Sequence, residues 1–351
     1  MTESVAAAKA WAVRHLRGLW AVPHAPFAPD GKLEPELLAE TYRACTRLDV
    51  STVAHSLLME PWAMSLHERK LCVEVLAESV GDRVLTAAYV TDHSTRVTIN
   101  LGEHAVDAGI DLLVLNCPYE WAKAQSEAIG WFEYIAPRLP GRVVVYNTPH
   151  SGLLLEPAAL DRLADQANIV AVLNAAGSFE HSRRTAEQAG NRLVVSDPVE
   201  RNYLSAWATW RQPVLMSTTA SLLLQSPQWQ PIRDYMTLAQ SGRADEARRV
   251  FENLAALREL WESVYRGSGL DSGKHAAHPV SRTKFWQQVM GIGTGEVRPP
   301  LRPTAREDKE AILTALKPYV EKFGIEHSWT AAERRLDAAH RNHPEGVSDD
   351  G

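Results

Sequence analysis

The chain has 351 residues, enough for one large α/β barrel enlarged by added helices. Its 45% hydrophobic and 23% charged residues are those of an ordinary globular protein and exclude a disordered or fibrous one. A net charge of −6 excludes the clustered basic surplus of a nucleic-acid footprint, and no segment reaches the ~18 apolar residues of a membrane span.

The first stretch, MTESVAAAKAWAVRHLRG, interrupts its apolar pattern with Lys9, Arg14 and Arg17, so residues 1–17 read as a helical lead and not as a signal-peptide core. Eight short apolar runs of β type follow, at 19–26, 50–56, 83–90, 111–116, 142–147, 168–174, 192–196 and 213–218. Segments with apolar spacing near 3.6 lie between them, such as EPELLAETYRACTRL and STRVTINLGEHAVDAG, each long enough for a crossover helix. Strands that are nearly continuous Val and Leu are buried on both faces, the mark of a parallel sheet. Eight β/α units in a row predict a (β/α)8 barrel over 18–225. Residues 226–341 form a helical extension, with helices at 231–265, 281–291 and 306–324 and VRPPLRPT (297–304) as a rigid connector. A flexible polar tail closes the chain at 342–351.

Three cysteines, Cys45, Cys72 and Cys117, show neither CxxC nor Cys/His ligand spacing, which fits a reducing cytoplasm. No cofactor or metal is expected: phosphate-binding glycine loops, a Rossmann fingerprint and HxH or HExxH spacings are absent. In a barrel of this kind chemistry gathers at the C-terminal ends of the strands. Period-two alternation sends Trp20, Val22 and His24 inward on the first strand, Tyr146 on the fifth and Asn174 on the sixth.

Five stretches around those strand ends carry a resemblance: APFAPDGKL, MEPWAMSLHERK, LVLNCPYEW, VVVYNTPHSG and GTGEVRPPLRP. In this order and spacing, over residues 18 to 325, the chain resembles the pyruvate-dependent class I aldolases of the dihydrodipicolinate synthase and N-acetylneuraminate lyase group. Its long C-terminal part looks most like the aromatic hydratase-aldolase branch. The resemblance implies a homo-oligomer, dimer or tetramer, acting on a small-molecule substrate; the charge and the lack of an apolar span argue against a nucleic-acid or membrane partner. It also implies that Tyr146 is a general acid/base.

Four departures from that pattern matter. The family forms a Schiff base through the lysine of a V-K-E-A-S/T-G segment; the matching segment here is VLNAAG, read with Asn174 in the lysine's place. An amide is not a nucleophile, so iminium chemistry is not expected. The family's G-T-T-G-E loop becomes Ser56, Leu57, Leu58, Met59, Glu60, and its P-Y-Y becomes PYE, with Glu120 at a tyrosine normally given across the subunit interface. The arginine usual after the fifth strand is replaced by His150 or Ser151.

The expected enzyme is therefore an aldolase-like lyase working without a Schiff base, by acid/base catalysis through Tyr146, His24 and Glu120. Hydration or dehydration, retro-aldol cleavage, decarboxylation and cyclisation are all open to it. Its substrate would be small, with an apolar or aromatic part. Asn174, Leu57, Leu58, Glu60, Tyr119, His150 and Trp62 form the expected binding set. Plainer roles stand beside these: a buried amide at a strand end for Asn174, a core histidine for His24, a loop brace for Glu60. Two rival functions also stand: a catalytically silent paralogue with a binding or structural role, and a Schiff-base aldolase using a displaced Lys123 or Lys284.

Overall fold

A computed structural model describes residues 5–118, 122–217, 219–266, 279–293 and 295–342. Eight parallel strands run in sequence order around a barrel: β1 (Gly18–Ala21), β2 (Thr52–His55), β3 (Leu85–Tyr89), β4 (Leu112–Asn116), β5 (Arg142–Asn147), β6 (Ile169–Asn174), β7 (Val194–Ser196) and β8 (Val214–Leu215). Helices follow the strands and cover the outside, giving the (β/α)8 fold read from the sequence. β8 returns to β1 through the pairs Gly18↔Val214 and Leu19↔Leu215.

The seam between β7 and β8 is closed differently. Ser196 Oγ donates to the Val214 carbonyl (3.0 Å) and accepts from the Met216 N–H (3.1 Å), so one hydroxyl does what a ladder does elsewhere. Gln212 reinforces it, its Oε1 accepting the Asp197 N–H at 2.8 Å.

Alternation along the strands divides the apolar residues into two clusters. Trp20, Ala54, Ala87, Leu112, Val114, Val144 and Val214 fill the barrel interior, while Val53, Leu113, Leu115, Val145 and Val172 pack outward under the helices. β6 departs from strict alternation. Val143 pairs with Ile169 but Val144 with Ala171, so β6 holds one extra residue, and both Val170 and Ala171 lie in the interior cluster. Beyond the bulge the faces are exchanged, so that Leu173 points in and Asn174 points out.

The leading helix Val5–His15 seals the N-terminal end of the barrel. Ala8, Ala12 and Leu16 join the interior cluster, small side chains letting the helix sit close beneath the strands. Lys9 Nζ caps the carbonyls of Gln166 and Ile169, and burial pushes its amine down to about 8. The Arg142 guanidinium lies 4.0 Å from the Trp11 ring centroid.

The helix expected over 231–265 is three helices, Pro231–Gln240, Ala244–Glu252 and Ala255–Arg266. The first ends where Gly242 takes φ +83°, the left-handed cap that glycine adopts without a Cβ clash. Helices Val280–Val289, Arg306–Leu316 and Glu326–Asn342 complete the extension; residues 343–351, expected to be a flexible tail, lie outside the described residues. Among the described residues no helix is long and apolar enough to cross a membrane. The three cysteines are free and buried.

His55 ends β2 on its outward side, 1% exposed, with neither ring nitrogen hydrogen-bonded. Burial, helped by the nearby Arg69 charge, pushes its pKa down to about 3 from 6.5. The unfolded chain therefore binds a proton that the folded chain refuses between those two values. Stability should fall as pH drops from 6.5 toward 3, by on the order of 1 kcal/mol per pH unit from this residue. Urea titrations across that window should show a shallower pH slope in His55→Leu than in the wild type; equal slopes would remove His55 as the cause.

Candidate active site

Tyr146 stands half-buried on the inward face of β5, near the C-terminal end of the barrel. Its cross-strand partners are Asn116 on β4 and Leu173 on β6. Asn116 is fully buried and begins a chain of hydrogen bonds. The Tyr89 hydroxyl donates to its Oδ1 at 2.8 Å, and its Nδ2 donates to Ser151 Oγ at 2.9 Å. Its backbone N–H is held by Thr91 Oγ1 at 3.0 Å. Opposite this polar wall the interior is apolar: Val22, Leu173 and Met216 belong to the interior cluster, and half-buried Leu57 packs against it.

Asn174 is not in that interior. Past the β6 bulge its side chain turns outward to the helix Phe179–Ala189, where Nδ2 donates to Ser182 Oγ and to the ring of His181, both at 3.1 Å. Its Oδ1 accepts from Asn147 Nδ2 at 2.9 Å. With 1% exposure it is the buried, satisfied amide of the plainer reading. The polar side chains that face inward beside Tyr146 were overlooked in the sequence. Their signal was nonetheless present: LLVLN alternates from Leu112 and Val114 to Asn116, and LTAAY from Ala87 to Tyr89.

His24, read as an inward base, is claimed by the C-terminal extension. Its Nδ1–H donates to Gln287 Oε1 (2.8 Å), and Nε2 lies 3.0 Å from Thr283 Oγ1, which itself donates to the Pro279 carbonyl at 3.0 Å. β1 ends at Ala21, three residues before His24, so strand alternation no longer governs where that ring points. Glu60 is held by the same helix, Val280–Val289. It is 0% exposed, with Oε1 2.5 Å from Lys284 Nζ and Oε2 accepting the Arg298 N–H at 3.0 Å. Lys284 also donates to the Glu296 carbonyl (2.8 Å); burial pushes its amine down, and Glu60 opposes that shift.

The remaining members of the expected set scatter. Leu58 is half-buried, Trp62 is 46% exposed on the turn Pro61–Ala63, and His150 is exposed on the turn Pro149–Ser151. Of the two residues offered for the family's arginine, the buried one is Ser151. Tyr119 and Glu120 lie outside the described residues. Lys123 is exposed, and none of the eight strands contains a lysine. Among the described residues no group of three or more His, Cys, Asp or Glu is placed to hold a metal ion.

The model of the Dihydrodipicolinate synthetase family matches residues 15–318. This chain belongs to that family. The 4-hydroxy-tetrahydrodipicolinate synthase of Clostridium perfringens (strain ATCC 13124) is 29% identical over 133 residues, 38% of this chain, and the match spans about half (46%) of that relative's length. The enzyme of the same name from Moorella thermoacetica is 27% identical over 296 residues, 83% of this chain and 94% of the relative. Solved dihydrodipicolinate synthases share the fold. That of Aquifex aeolicus superposes with a TM-score of 0.75 at 17% identity, covering 89% of this chain and all (100%) of that one. That of Thermotoga maritima gives 0.74 at 20%, covering 87% and 98%.

Set letter by letter on the family's V-K-E-A-S/T-G segment, VLNAAG puts Leu173, not Asn174, against the lysine. The geometry agrees in direction, because Leu173 is the inward residue opposite Tyr146.

A buried ion pair resists losing one partner far more than losing both. Lys284→Met should strand the Glu60 charge and cost about 3–5 kcal/mol in urea unfolding, while Glu60→Met with Lys284→Met should recover most of it. A double variant no more stable than Lys284→Met alone would show that the pair does not set the energy of this contact.

Proposed function

We propose that this family member is a carbon–carbon or carbon–oxygen lyase that works without a Schiff base, by proton transfer at Tyr146. The observation that carries the proposal is Leu173. At the inward β6 position directly across from the Tyr146 backbone stands an alkyl side chain, where an aldolase of this family needs an amine. Lys284, the nearest alternative in the sequence reading, is paired with Glu60.

Without an iminium as electron sink, a developing oxyanion must be held by hydrogen bonds. One preorganised donor contributes roughly 2.7–4 kcal/mol. That supports an already activated substrate, such as a conjugated or β-hydroxy carbonyl compound, with its apolar part on the Val22, Leu57, Leu173 and Met216 side. Hydration or dehydration and retro-aldol cleavage fit such a site best, because each needs one proton moved beside one polarised oxygen. Relatives that are 4-hydroxy-tetrahydrodipicolinate synthases support the lyase class. A homo-oligomer in a reducing cytoplasm belongs to the same proposal, the latter supported by three free, buried cysteines.

A silent paralogue is the second reading, favoured by the capture of both His24 and Glu60 by one helix. Borohydride reduction in the presence of pyruvate, followed by intact mass, separates these possibilities from a Schiff-base enzyme. The wild type should give no adduct, whereas Leu173→Lys, with its amine buried against apolar neighbours and so lowered in pKa, should give one. A reduced pyruvate adduct on the wild type would end the Schiff-base-independent account. Among β-hydroxy ketones and enones screened for turnover, any substrate found should lose roughly 10²–10⁴-fold in kcat with Tyr146→Phe. Undiminished turnover in that variant would remove Tyr146 from the chemistry, and the absence of any turned-over compound would favour the silent paralogue.

A further inference from the structure

Resting on that acid/base reading, we propose that the Tyr89–Asn116–Ser151 chain is a positioning wall that takes an uncharged carbonyl oxygen of the substrate and disfavours the carboxylate of a 2-oxo acid. The direction of the hydrogen bonds decides which protons remain to be given. Tyr89 donates its only proton to Asn116 Oδ1, and Asn116 donates one amide proton to Ser151 Oγ. Left over are the second amide proton of Asn116 and the hydroxyl proton of Ser151, two donors on one side of the interior.

All three residues are held in place. Their exposures are 3%, 0% and 1%, Asn116 is pinned by Thr91, and Ser151 ends a turn closed by its own N–H on the Thr148 carbonyl at 3.2 Å. Buried donors that are fixed and unspent favour an acceptor that needs no other compensation. A carbonyl oxygen is such a group, whereas a carboxylate entering here must shed its water and find a cation.

No cation waits for it among the described inward residues of this half of the barrel. The strands send Tyr89, Asn116, Tyr146, Leu173 and, after their ends, Val22 and Met216 to this region, none of them charged. Arg142 is at the opposite end of β5, stacked on Trp11, and Lys284 is neutralised by Glu60. Arg69, 5.9 Å from the Tyr89 ring centroid, is already engaged by Asp92 and by the Thr91 carbonyl, both at 2.9 Å. The inward face therefore discriminates by charge.

Calorimetric titration of the full chain with benzoylformate and with its methyl ester tests this, since the two share the phenyl ketone and differ in charge. The ester should bind at least tenfold more tightly. Ser151→Ala should weaken the ester about fivefold and leave benzoylformate unchanged, and Ser151→Thr, which keeps the hydroxyl, should restore it. Equal or tighter binding of benzoylformate overturns the proposal, as does unaltered ester affinity in Ser151→Ala, or failure of both probes to bind at millimolar concentration. If Ser151→Ala does not fold, Tyr89→Phe replaces it: freeing the Asn116 amide should lower ester affinity severalfold, and an unchanged value overturns the idea. Binding is read here without turnover. An imine trapped from pyruvate would defeat the lyase proposal above by a different measurement and leave the ester preference to be judged separately.

Discussion

A side chain on a barrel strand has two destinations, the interior or the helical shell, and the backbone's pleat chooses between them for every residue at once. Everything chemical about this protein follows from that constraint. On β5 it delivers Tyr146 to the interior, on β4 Asn116 and on β3 Tyr89. On β6 a single additional residue reverses it, sending Leu173 in and Asn174 out. The bulge thereby sets an alkyl group beside the one phenol that resembles a catalytic residue, and gives the neighbouring amide to a buried polar cluster outside.

Beyond the strands a second element decides which polar groups are available. The helix Val280–Val289 presents Thr283, Lys284 and Gln287 within little more than one turn, and these three engage His24 and Glu60. The same contacts tie the β1 and β2 loops to the C-terminal extension. Arg298 adds to the bracing, its guanidinium reaching Gly31, Ala63 and Glu68 while lying 4.1 Å from the Phe27 ring centroid. Two residues that look chemically capable in isolation thus act as fasteners, and the proposed chemistry is left to Tyr146 and the side chains that face inward beside it.

The barrel was legible because its evidence is local: eight apolar runs separated by helical spacing need no knowledge of distant neighbours. The inward direction of Tyr146 was legible for the same reason. Asn174 was misdirected because Val170 and Ala171 are both small or branched apolar residues, and nothing in their identity marks a bulge. The plainer roles of His24 and Glu60 were open in the sequence but could not be chosen there, because their partners stand more than 200 residues away. Asn116, by contrast, could have been found, since β4 keeps strict alternation to its last residue.

The helix Val5–His15 closes the far end of the barrel with alanines pressed beneath the strands and Lys9 capping two carbonyls. Among the described residues that end is plugged, which leaves the opposite end, where Tyr146 stands, as the side from which a molecule would reach it. On the proposed reading, a departing molecule and the next arrival would contend for that one side.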